Sequence, residues 1–376
     1  MKINKSKLWA FMASAALIWS CSSPEEVDPG LSIPEDEEDP EEVVIPLKEL
    51  FEAYFPIGAA VTPQQADLGT AHGQVLREHF SSITAENVMK PDALQRVKGQ
   101  YTWTSADQLV KFAKDNNMLV RGHCLTWHSQ SPDWMFYDEN GELLSRELAL
   151  AQLEEHITTV VTRYKDDVYA WDVVNEAMFD WDPEGVIEYR EDSPWYQMIG
   201  ETYIDSAFVY ARRADPNAKL FYNDYNSIFS WKRNKIYNMV KRLKDNNIPI
   251  DGIGLQGHWM VNTSEADIRT TLDLFRSLDV EIQITELDIP VYLSSDEPGA
   301  TVYNDTFSFR QKMAYTMIFD VLLDYSDIIT NVTFWGIGDD HTWLDQPGRK
   351  AFPFLFDEEL KPKPVYFEVQ KLVQNR

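Results

Sequence analysis

The sequence has 376 residues, and its 34 Lys and Arg against 61 Asp and Glu give a formal net charge of −27 at pH 7. Hydrophobic residues make up 44% and aromatic residues 13% of the chain, which excludes wholesale disorder, collagen and coiled coil. With only 2 cysteines, a disulfide scaffold is also excluded. Because the acidic excess repels phosphate backbones, we expect no nucleic-acid partner.

Residues 1–21 have the form of a secretory signal, in which lysines precede an apolar run and a cysteine follows it. The run, residues 8–19, is too short to span a bilayer comfortably. The signal ends in Ile18-Trp19-Ser20-Cys21, which resembles a bacterial lipobox. We therefore expect lipid on Cys21 and an outer-membrane lipoprotein. An ordinary signal peptide is the alternative. Cys124 is left unpaired, and no structural disulfide is expected.

Residues 22–46 contain ten acids and no Lys or Arg. Such a segment repels itself and cannot bury a core, so it predicts a disordered tether ahead of a folded domain at residues 47–376. Acids soon after a lipid-bearing cysteine resemble the surface-export signal of Bacteroidota lipoproteins. We therefore expect the domain at the cell surface, with a periplasm-facing protein as the alternative.

From about residue 47, short apolar runs alternate with stretches of helical period, the pattern of repeated βαβ units. Capping-box spacing places helix starts at Thr104 with Asp107 and at Ser264 with Asp267, and residues 149–164 have one apolar helical face. Eight strand–helix pairs predict a single (β/α)8 barrel of the α/β class, because the Gly-rich first turn of a doubly wound sheet is missing. The predicted strands are Ile57–Val61, Ser82–Asn87, Leu119–Trp127, Val168–Glu176, Lys219–Asp224, Gly252–His258, Val280–Asp288 and Asn331–Gly336.

Polar side chains fall at the C-terminal ends of nearly all these predicted strands. In a barrel those ends meet at one face, where active sites lie. Strand interiors do not tolerate so many polar groups without partners, so the pattern predicts one wet site. The residues are Glu86, Asn87, His123, Trp127, His128, Asn175, Glu176, Asn223, Asp224, Gln256, His258, Glu286, Asp288 and Trp335.

Two of these residues, Glu176 and Glu286, come from the ends of strands four and seven and can flank one bond, as glycoside hydrolysis requires. If their carboxyls lie ~5 to 5.5 Å apart, the second acts as nucleophile and the anomeric configuration is retained. Burial and the charge of Glu286 would keep Glu176 protonated as the acid/base. Taken singly, either glutamate would be an ordinary surface or capping residue.

Motifs in order along residues 50–370 closely resemble those of glycoside hydrolase family 10, the endo-β-1,4-xylanases. They are Glu86-Asn87-Val88-Met89-Lys90-Pro91, Gly122 to Gln130, Trp171 to Ala177, Tyr222-Asn223-Asp224-Tyr225-Asn226, Gly254 to His258, Ile284 to Ile289, and Phe334-Trp335-Gly336 through Trp343. The resemblance implies that Glu176 is the acid/base, Glu286 the nucleophile and Asn175 a donor to the sugar 2-hydroxyl. His258 would orient Glu286, and Asp288 would steady His258.

The resemblance further implies that Tyr225 stacks on the aglycone side. A sugar-binding groove needs aromatic rings against the CH faces of the sugar, and amides, carboxylates or ammonium groups for its hydroxyls. The tyrosine, tryptophan, amide, carboxylate and lysine side chains in these motifs are compatible with sugar binding. Trp103 and Trp171 are expected to pack in the core instead. The implied glycone-side contacts are Glu86, Asn87, Lys90, His123, Trp127, Gln130, Gln256, Trp335 and Trp343.

No cofactor or metal is expected. His123 and His128 are five residues apart, which on a strand sends them to opposite faces. Asp339 and Asp340 lack the further spaced oxygen ligands of a calcium loop. Cys124 is expected to be a buried apolar filler.

Xylan or xylo-oligosaccharides are therefore the expected partners of a monomer attached to a membrane through its lipid. One alternative is a β-1,4-glucanase or mixed-linkage glucanase on the same fold. By resemblance Trp343 would crowd the hydroxymethyl group that glucose carries and xylose lacks. The other alternative is a catalytically idle glycan-binding lipoprotein, which the presence of Glu176, Glu286 and their supporting residues disfavours. Endo action is implied by the resemblance alone.

Overall fold

Eight parallel strands close into a barrel in chain order in the computed structural model, which describes residues 42–180 and 188–376. The predicted signal, Cys21 and most of the predicted tether lie outside these residues. The strands are β1 (Ile57–Val61), β2 (Ser82–Ala85), β3 (Leu119–His123), β4 (Ala170–Asn175), β5 (Lys219–Asp224), β6 (Gly252–Leu255), β7 (Glu281–Leu287) and β8 (Ile329–Phe334).

Helices follow the strands and cover the outside of the barrel with apolar faces, as in α5, where Leu153, Ile157 and Val160 are buried. The described helices are α1 (Leu47–Leu50), α2 (Ala71–His79), α3 (Pro91–Leu94), α4 (Thr104–Asp115), α5 (Arg146–Arg163), α6 (Pro194–Ile199), α7 (Thr202–Ala214), α8 (Ser230–Asp245), α9 (Glu265–Arg276), α10 (Asp305–Asp324) and α11 (Pro364–Gln374), with a 3₁₀ turn at Asp133–Met135.

The predicted (β/α)8 barrel is confirmed, and β1 and β5 have the predicted bounds. The predicted strands ran past the true ends of β2, β3 and β6, and β8 begins and ends two residues earlier than predicted. The reason is that apolar, buried residues continue beyond the hydrogen-bonded ladder, as Cys124 and Leu125 do after β3. Most of the predicted polar strand ends therefore lie in the loops that follow the strands.

Of the two predicted helix caps, one is correct. The Ser264 hydroxyl accepts a hydrogen bond from the Asp267 amide (3.3 Å) at the start of α9. The cap at Thr104 is wrong, because Thr104 is already the first residue of α4 and the N-cap position belongs to Trp103, which makes no side-chain cap hydrogen bond. The Asp107 carboxylate instead accepts a hydrogen bond from the hydroxyl of Tyr164 (3.0 Å) on the neighbouring helix.

The helix predicted at 149–164 begins earlier, at Arg146, because the Ser145 hydroxyl caps it by accepting from the Leu148 amide.

The folded unit, Val43–Arg376, begins four residues before the predicted domain start. Gln370 of α11 donates to the Val43 carbonyl (2.9 Å) and accepts from the Ile45 amide (2.9 Å), and the Tyr366 hydroxyl donates to the Ile45 carbonyl (2.6 Å). The last residues of the predicted tether are thus bound to the domain. Within residues 42–180 and 188–376, no helix combines the length and apolarity needed to cross a bilayer.

Candidate active site

A cleft of about 410 Å³ opens at the C-terminal ends of the strands. The last residues of β3, β4 and β7, the loops after β3, β4, β5, β6 and β8, and the N-terminus of α3 contribute its walls. The walls combine aromatic rings with carboxyl, amide and imidazole groups. The lining residues are Lys90, His123, Trp127, Asn175, Glu176, Tyr225, Asn226, Gln256, His258, Glu286, Trp335 and Trp343.

Most of the residues that were given a catalytic, supporting or sugar-binding role line this cleft, and four of them do not: Glu86, Asn87, Gln130 and Asp288. Asp288 lies behind His258, with its Oδ1 2.9 Å from Nδ1 of the ring. The other three join the cleft through Lys90, as described below. Asn226 lines the cleft without having been predicted, although it follows Tyr225 in the recognised motif.

The backbone turns sharply after β4 and directs Glu176 into the cleft. Glu176 has a φ of 56°, a left-handed conformation that is costly for a residue with a Cβ. Its amide donates to the Asn223 carbonyl (2.9 Å). The Tyr222 hydroxyl accepts from the next two amides, of Ala177 (2.9 Å) and Met178 (3.1 Å). These bonds from β5 hold the turn in place.

The Glu176 carboxyl is surrounded by donors on both of its oxygens. Trp127 Nε1 donates to Oε2 (3.0 Å), while Gln256 Nε2 (3.0 Å) and Asn175 Nδ2 (3.2 Å) donate to Oε1. The three contacts fix the orientation of the carboxyl. The bonds from Gln256 and Trp127 lower its pKa, but burial outweighs them.

Burial is the largest cause that raises the pKa of Glu176, followed by the negative charge of Asp224, and the charge of Glu286 adds to both. A buried carboxyl beside other acids favours its neutral form, so Glu176 carries a proton at a pH where an exposed glutamate would have lost it. Such a group can act as a general acid.

Glu286 is 5% exposed and is held by contacts from β5 and from the segment after β6. Asn223 Nδ2 donates to Oε1 (2.9 Å), and His258 Nε2 lies 3.3 Å from Oε2. Behind His258, Asp288 also accepts a hydrogen bond from Trp343 Nε1 (2.8 Å). Glu286, His258, Asp288 and Trp343 therefore form one connected chain from the cleft floor to its rim.

The pKa of Glu286 is shifted in the opposite direction to that of Glu176. Burial alone would raise the pKa of Glu286, but the His258 hydrogen bond, the charges of His123 and His258 and the Asn223 amide outweigh it and lower the pKa. Burial likewise opposes a charged His258, yet Asp288 and Glu286 raise the pKa of His258 to about 10. Glu286 is thus an anion beside an imidazolium, while Glu176 favours its acid form.

Asn223 is the functional residue that sequence reasoning missed, although it had been noted at a strand end. Its Nδ2 donates to Asn175 Oδ1 (2.9 Å) as well as to Glu286, and its Oδ1 accepts from the Thr285 hydroxyl (2.6 Å). A register shift between Asp172 and Val174 on β4 brings Asn175 level with Asn223. The side chain of Asn223 therefore connects the two carboxyl-bearing strands.

This connection crosses β6 at Gly254. A Cβ at that position would lie 2.4 Å from Asn223 Oδ1 and 2.9 Å from Thr285 Cγ2. Only glycine leaves room for the amide to reach β7.

We expect Asn223→Ala to lower kcat about 10- to 100-fold, because a buried carboxylate oxygen loses its donor at a cost of about 1–3 kcal/mol. Steady-state kinetics on any cleaved glycoside measures this loss. Asn331→Ala is the matched control, since Asn331 is also buried on a barrel strand but donates to Ser82 and Tyr169 (both 2.9 Å). An equal loss of kcat in both variants would mean that Asn223 acts only through stability.

At one end of the cleft, Lys90 connects to the three predicted glycone residues that do not line the cleft themselves. Its Nζ donates to Asn87 Oδ1 (3.0 Å) and Gln130 Oε1 (2.8 Å), and lies 5.1 Å from the centre of the Trp127 ring. Asn87 Nδ2 in turn donates to Glu86 Oε1 (3.0 Å). Predicted glycone contacts from two loops, after β2 and after β3, therefore form one hydrogen-bonded group.

At the other end, Tyr225 is held by charged residues beneath it. Its hydroxyl bonds with Asp180 and accepts from Arg190 (3.1 Å), and Lys232 Nζ lies 4.5 Å from its ring centre. Arg190 Nε also donates to the Glu176 carbonyl (3.2 Å). The aromatic face of Tyr225 is thereby positioned in the same network as the acid-bearing turn.

The strand-alternation argument against a His123–His128 metal pair does not apply, because β3 ends at His123. His123 Nδ1 contacts Asp172 (3.0 Å), and burial lowers the pKa of His128 to about 4. Across the described ranges, no group of three or more His, Cys, Asp or Glu side chains is placed to hold a metal ion.

Four further residues lie where packing or pairing explains them. Trp171 is buried, and Trp103 stacks on the Tyr101 ring at 4.6 Å, so the predicted packing roles of both tryptophans are confirmed. Asp339 is buried beside Lys363 Nζ at 2.7 Å. Cys124 is fully buried, as predicted, and burial raises the pKa of its thiol.

A (β/α)8 barrel that brings one carboxyl favouring its acid form and one carboxylate into a cleft at the strand ends defines a glycoside hydrolase. The model of glycosyl hydrolase family 10 matches residues 46–372, and the chain belongs to that family. Family members retain anomeric configuration, with one glutamate as nucleophile and another as acid/base.

Relatives of known name and structure agree with this assignment. Endo-1,4-beta-xylanase of Geobacillus stearothermophilus is 46% identical over 331 residues, which cover 86% of this chain and 97% of that protein. Endo-1,4-beta-xylanase B of Paenibacillus barcinonensis is 44% identical over 320 residues, or 84% of this chain and 94% of that protein.

Solved structures superpose closely on the chain. Xylanase XynB of Paenibacillus barcinonensis, complexed with a conduramine derivative, has a TM-score of 0.82 at 42% identity over 88% of this chain and 99% of that one. A mutant of an intracellular xylanase from Thermoanaerobacterium saccharolyticum, in complex with xylotriose, has a TM-score of 0.79 at 39% identity over 88% of this chain and 99% of that one.

Proposed function

We propose that this chain is an endo-1,4-β-xylanase that cleaves internal β-1,4-xylosidic bonds with retention, with Glu286 as nucleophile and Glu176 as acid/base. The observation that carries the proposal is the opposite direction of the two pKa shifts within one cleft. A nucleophile must be ionised and a general acid must be protonated at the same pH, and the surroundings of these glutamates favour that combination.

The mechanism has two steps. Glu286 attacks the anomeric carbon while Glu176 protonates the leaving oxygen, which gives a covalent glycosyl ester. Conversion of Glu286 to an ester removes a negative charge that helped to raise the pKa of Glu176. Glu176 then accepts a proton from water as the water attacks the ester, and the second inversion restores the original configuration.

Support for a xylan substrate comes from the xylanase names of the relatives and from the position of Trp343. The Trp343 side chain is fixed at the cleft rim by its bond to Asp288 and by the His258 ring, whose centre lies 5.0 Å away. By resemblance this ring occupies the space of the hydroxymethyl group of glucose. We therefore propose xylo-oligosaccharides as preferred substrates of a monomeric enzyme, with glucans penalised.

Parallel assays on xylan, a β-1,4-glucan and a mixed-linkage glucan test this proposal. We expect turnover on xylan, with xylo-oligosaccharides of several lengths as early products and β-anomers detected first by proton NMR. Faster turnover of either glucan would favour the glucanase alternative. Binding of xylan without turnover would favour a glycan-binding lipoprotein, and an initial α-anomer would exclude retention.

We also propose that the mature protein is anchored in the outer membrane through lipid on Cys21 and faces outward. Support comes from the lipobox-like sequence and from the ten acids at residues 22–46. Several acyl chains hold a protein firmly in a membrane, whereas a single chain binds marginally. Polymeric xylan cannot cross an outer membrane, so an enzyme for it is most useful on the cell surface.

Fractionation of cells tests the anchor. Cys21→Ala should move the xylanase activity from the membrane fraction to the soluble fraction, because the lipid attachment site is lost. Cys124→Ser is the matched control and should keep its distribution, since Cys124 is buried in the domain. Complete extraction of the wild-type enzyme by buffer without detergent would contradict the anchor. If protease added to intact cells left the enzyme uncleaved, outward exposure would be contradicted.

A further inference from the structure

Two histidine–carboxylate contacts at the rim of the cleft join the loop after β8 to neighbouring elements. His341 Nε2 lies 3.1 Å from Glu86 Oε2, just after β2, and Asp340 Oδ2 lies 2.8 Å from His72 Nε2 on α2. Neither histidine was singled out from the sequence. Both contacts lie beside the group of predicted glycone residues that Lys90 organises.

The loop that carries His341 is anchored from below. Asp339 is buried, accepts from the Phe354 amide (2.9 Å) and pairs with Lys363 Nζ (2.7 Å). The His341 amide donates to the Gly338 carbonyl (3.2 Å) and closes a turn. The backbone position of His341 is thus set by buried contacts and does not depend on the exposed ion pairs.

His341 holds the second oxygen of Glu86, whose first oxygen is held by Asn87. With both oxygens engaged, the Glu86 carboxylate has a fixed orientation. The connection continues through Asn87 to Lys90, which lines the cleft. A change at His341 is therefore transmitted to the cleft through Glu86.

We propose that His341 is a positioning residue that orients the Glu86 carboxylate for sugar binding, so that substrate affinity, rather than the chemical step, depends on His341. The inference rests on the proposed function, because it requires Glu86 to contact the bound glycone.

The contact between His341 and Glu86 depends on the charges of both groups, so the proposal predicts that KM depends on pH. The Glu86 hydrogen bond raises the pKa of His341 against the effect of partial burial, with a smaller contribution from Asp340. The same bond lowers the pKa of Glu86, where Asn87 and the charge of Lys90 act in the same direction. His72, which contacts Asp340 from α2, is a further titratable group beside this loop. The ion pair is complete between the lowered pKa of Glu86 and the raised pKa of His341. It is lost as pH falls through the first or rises through the second.

A double-mutant cycle on KM tests the proposal, with an aryl β-xylobioside as substrate. We expect His341→Gln to raise KM about two- to fivefold, the range of a partly exposed ion pair, with kcat unchanged. In a Glu86→Gln background the same change should have no further effect, because its partner charge is gone. The wild-type KM should rise with pH by a similar factor, and the KM of His341→Gln should not.

His72→Gln is the matched control, since it removes the other histidine–carboxylate contact of the same loop and leaves Glu86 untouched. Its KM should stay within about twofold of wild type. An equal rise in KM from His341→Gln in both backgrounds, or a fall in kcat with KM unchanged, would overturn the positioning role. A wild-type enzyme that does not cleave the xylobioside would instead refute the proposed function, and this inference with it.

Discussion

Glu286→Ala is expected to lower kcat on the order of 10⁴- to 10⁶-fold on xylan and on aryl xylobiosides alike. The physical reason is that the nucleophile forms the glycosyl ester for every substrate, however good the leaving group is. Because Glu286 is buried against His258, no water can replace the carboxylate with equal geometry. Kinetics on xylan and on an activated aryl glycoside measure both losses.

Glu281→Ala is the matched control, because Glu281 belongs to the same strand but pairs with Lys219 at the opposite end of the barrel. Its partly exposed ion pair contributes about 1 kcal/mol or less, so its kcat should stay near that of wild type. Substantial activity of Glu286→Ala on the aryl substrate would show that Glu286 is not the nucleophile.

Unlike Glu286→Ala, Glu176→Ala is expected to lose activity to an extent that depends on the leaving group of the substrate. The loss of kcat/KM, which reports formation of the glycosyl ester, should be about 10²- to 10⁴-fold on xylan and small on a glycoside with a good aryl leaving group. Proton donation matters when the departing alkoxide is basic, and an activated phenolate leaves without it. A series of aryl xylobiosides with graded leaving groups measures this difference.

The pH profile gives a second readout for Glu176. Activity requires ionised Glu286, whose pKa is lowered, and protonated Glu176, whose pKa is raised. In the wild type, kcat/KM should therefore fall at low pH through Glu286 and at high pH through Glu176. Glu176→Ala should lose the part of the alkaline fall that Glu176 causes on the activated substrate and keep the acid fall. Any alkaline fall that is left should not exceed the roughly two- to fivefold change in KM proposed for His341. Equal losses on good and poor leaving groups, with the alkaline fall intact, would show that the acid is another residue.

The barrel could be predicted from the sequence because its strands are nearly continuous apolar runs separated by amphipathic helices. The strand ends could not be predicted closely, since buried residues such as Leu125 continue the apolar run after pairing has stopped. Thr104 shows the same limitation for helices. A capping-box spacing is compatible with a position inside the first turn, and the sequence does not show that Asp107 binds Arg163 and Tyr164 instead.

The lining of the cleft was largely predictable, because strand order places the ends of successive strands at one face. The role of Asn223 was not, since it depends on a register shift in β4 and on the absence of a side chain at Gly254. Local sequence carries no signal for such a crossing. His341 was also missed, because its partner Glu86 lies 255 positions away in the chain.

Trapping of the covalent intermediate tests the central claim most directly. A 2-deoxy-2-fluoro-xylobioside with a good aryl leaving group forms the ester with Glu286 and slows its hydrolysis, since fluorine destabilises the positive charge that develops in both transition states. Proteolysis and mass spectrometry then locate the label. We predict a single fluoroxylobiosyl group on the peptide that contains Glu286, and a label on any other side chain, or turnover with inversion and no label, would contradict the account.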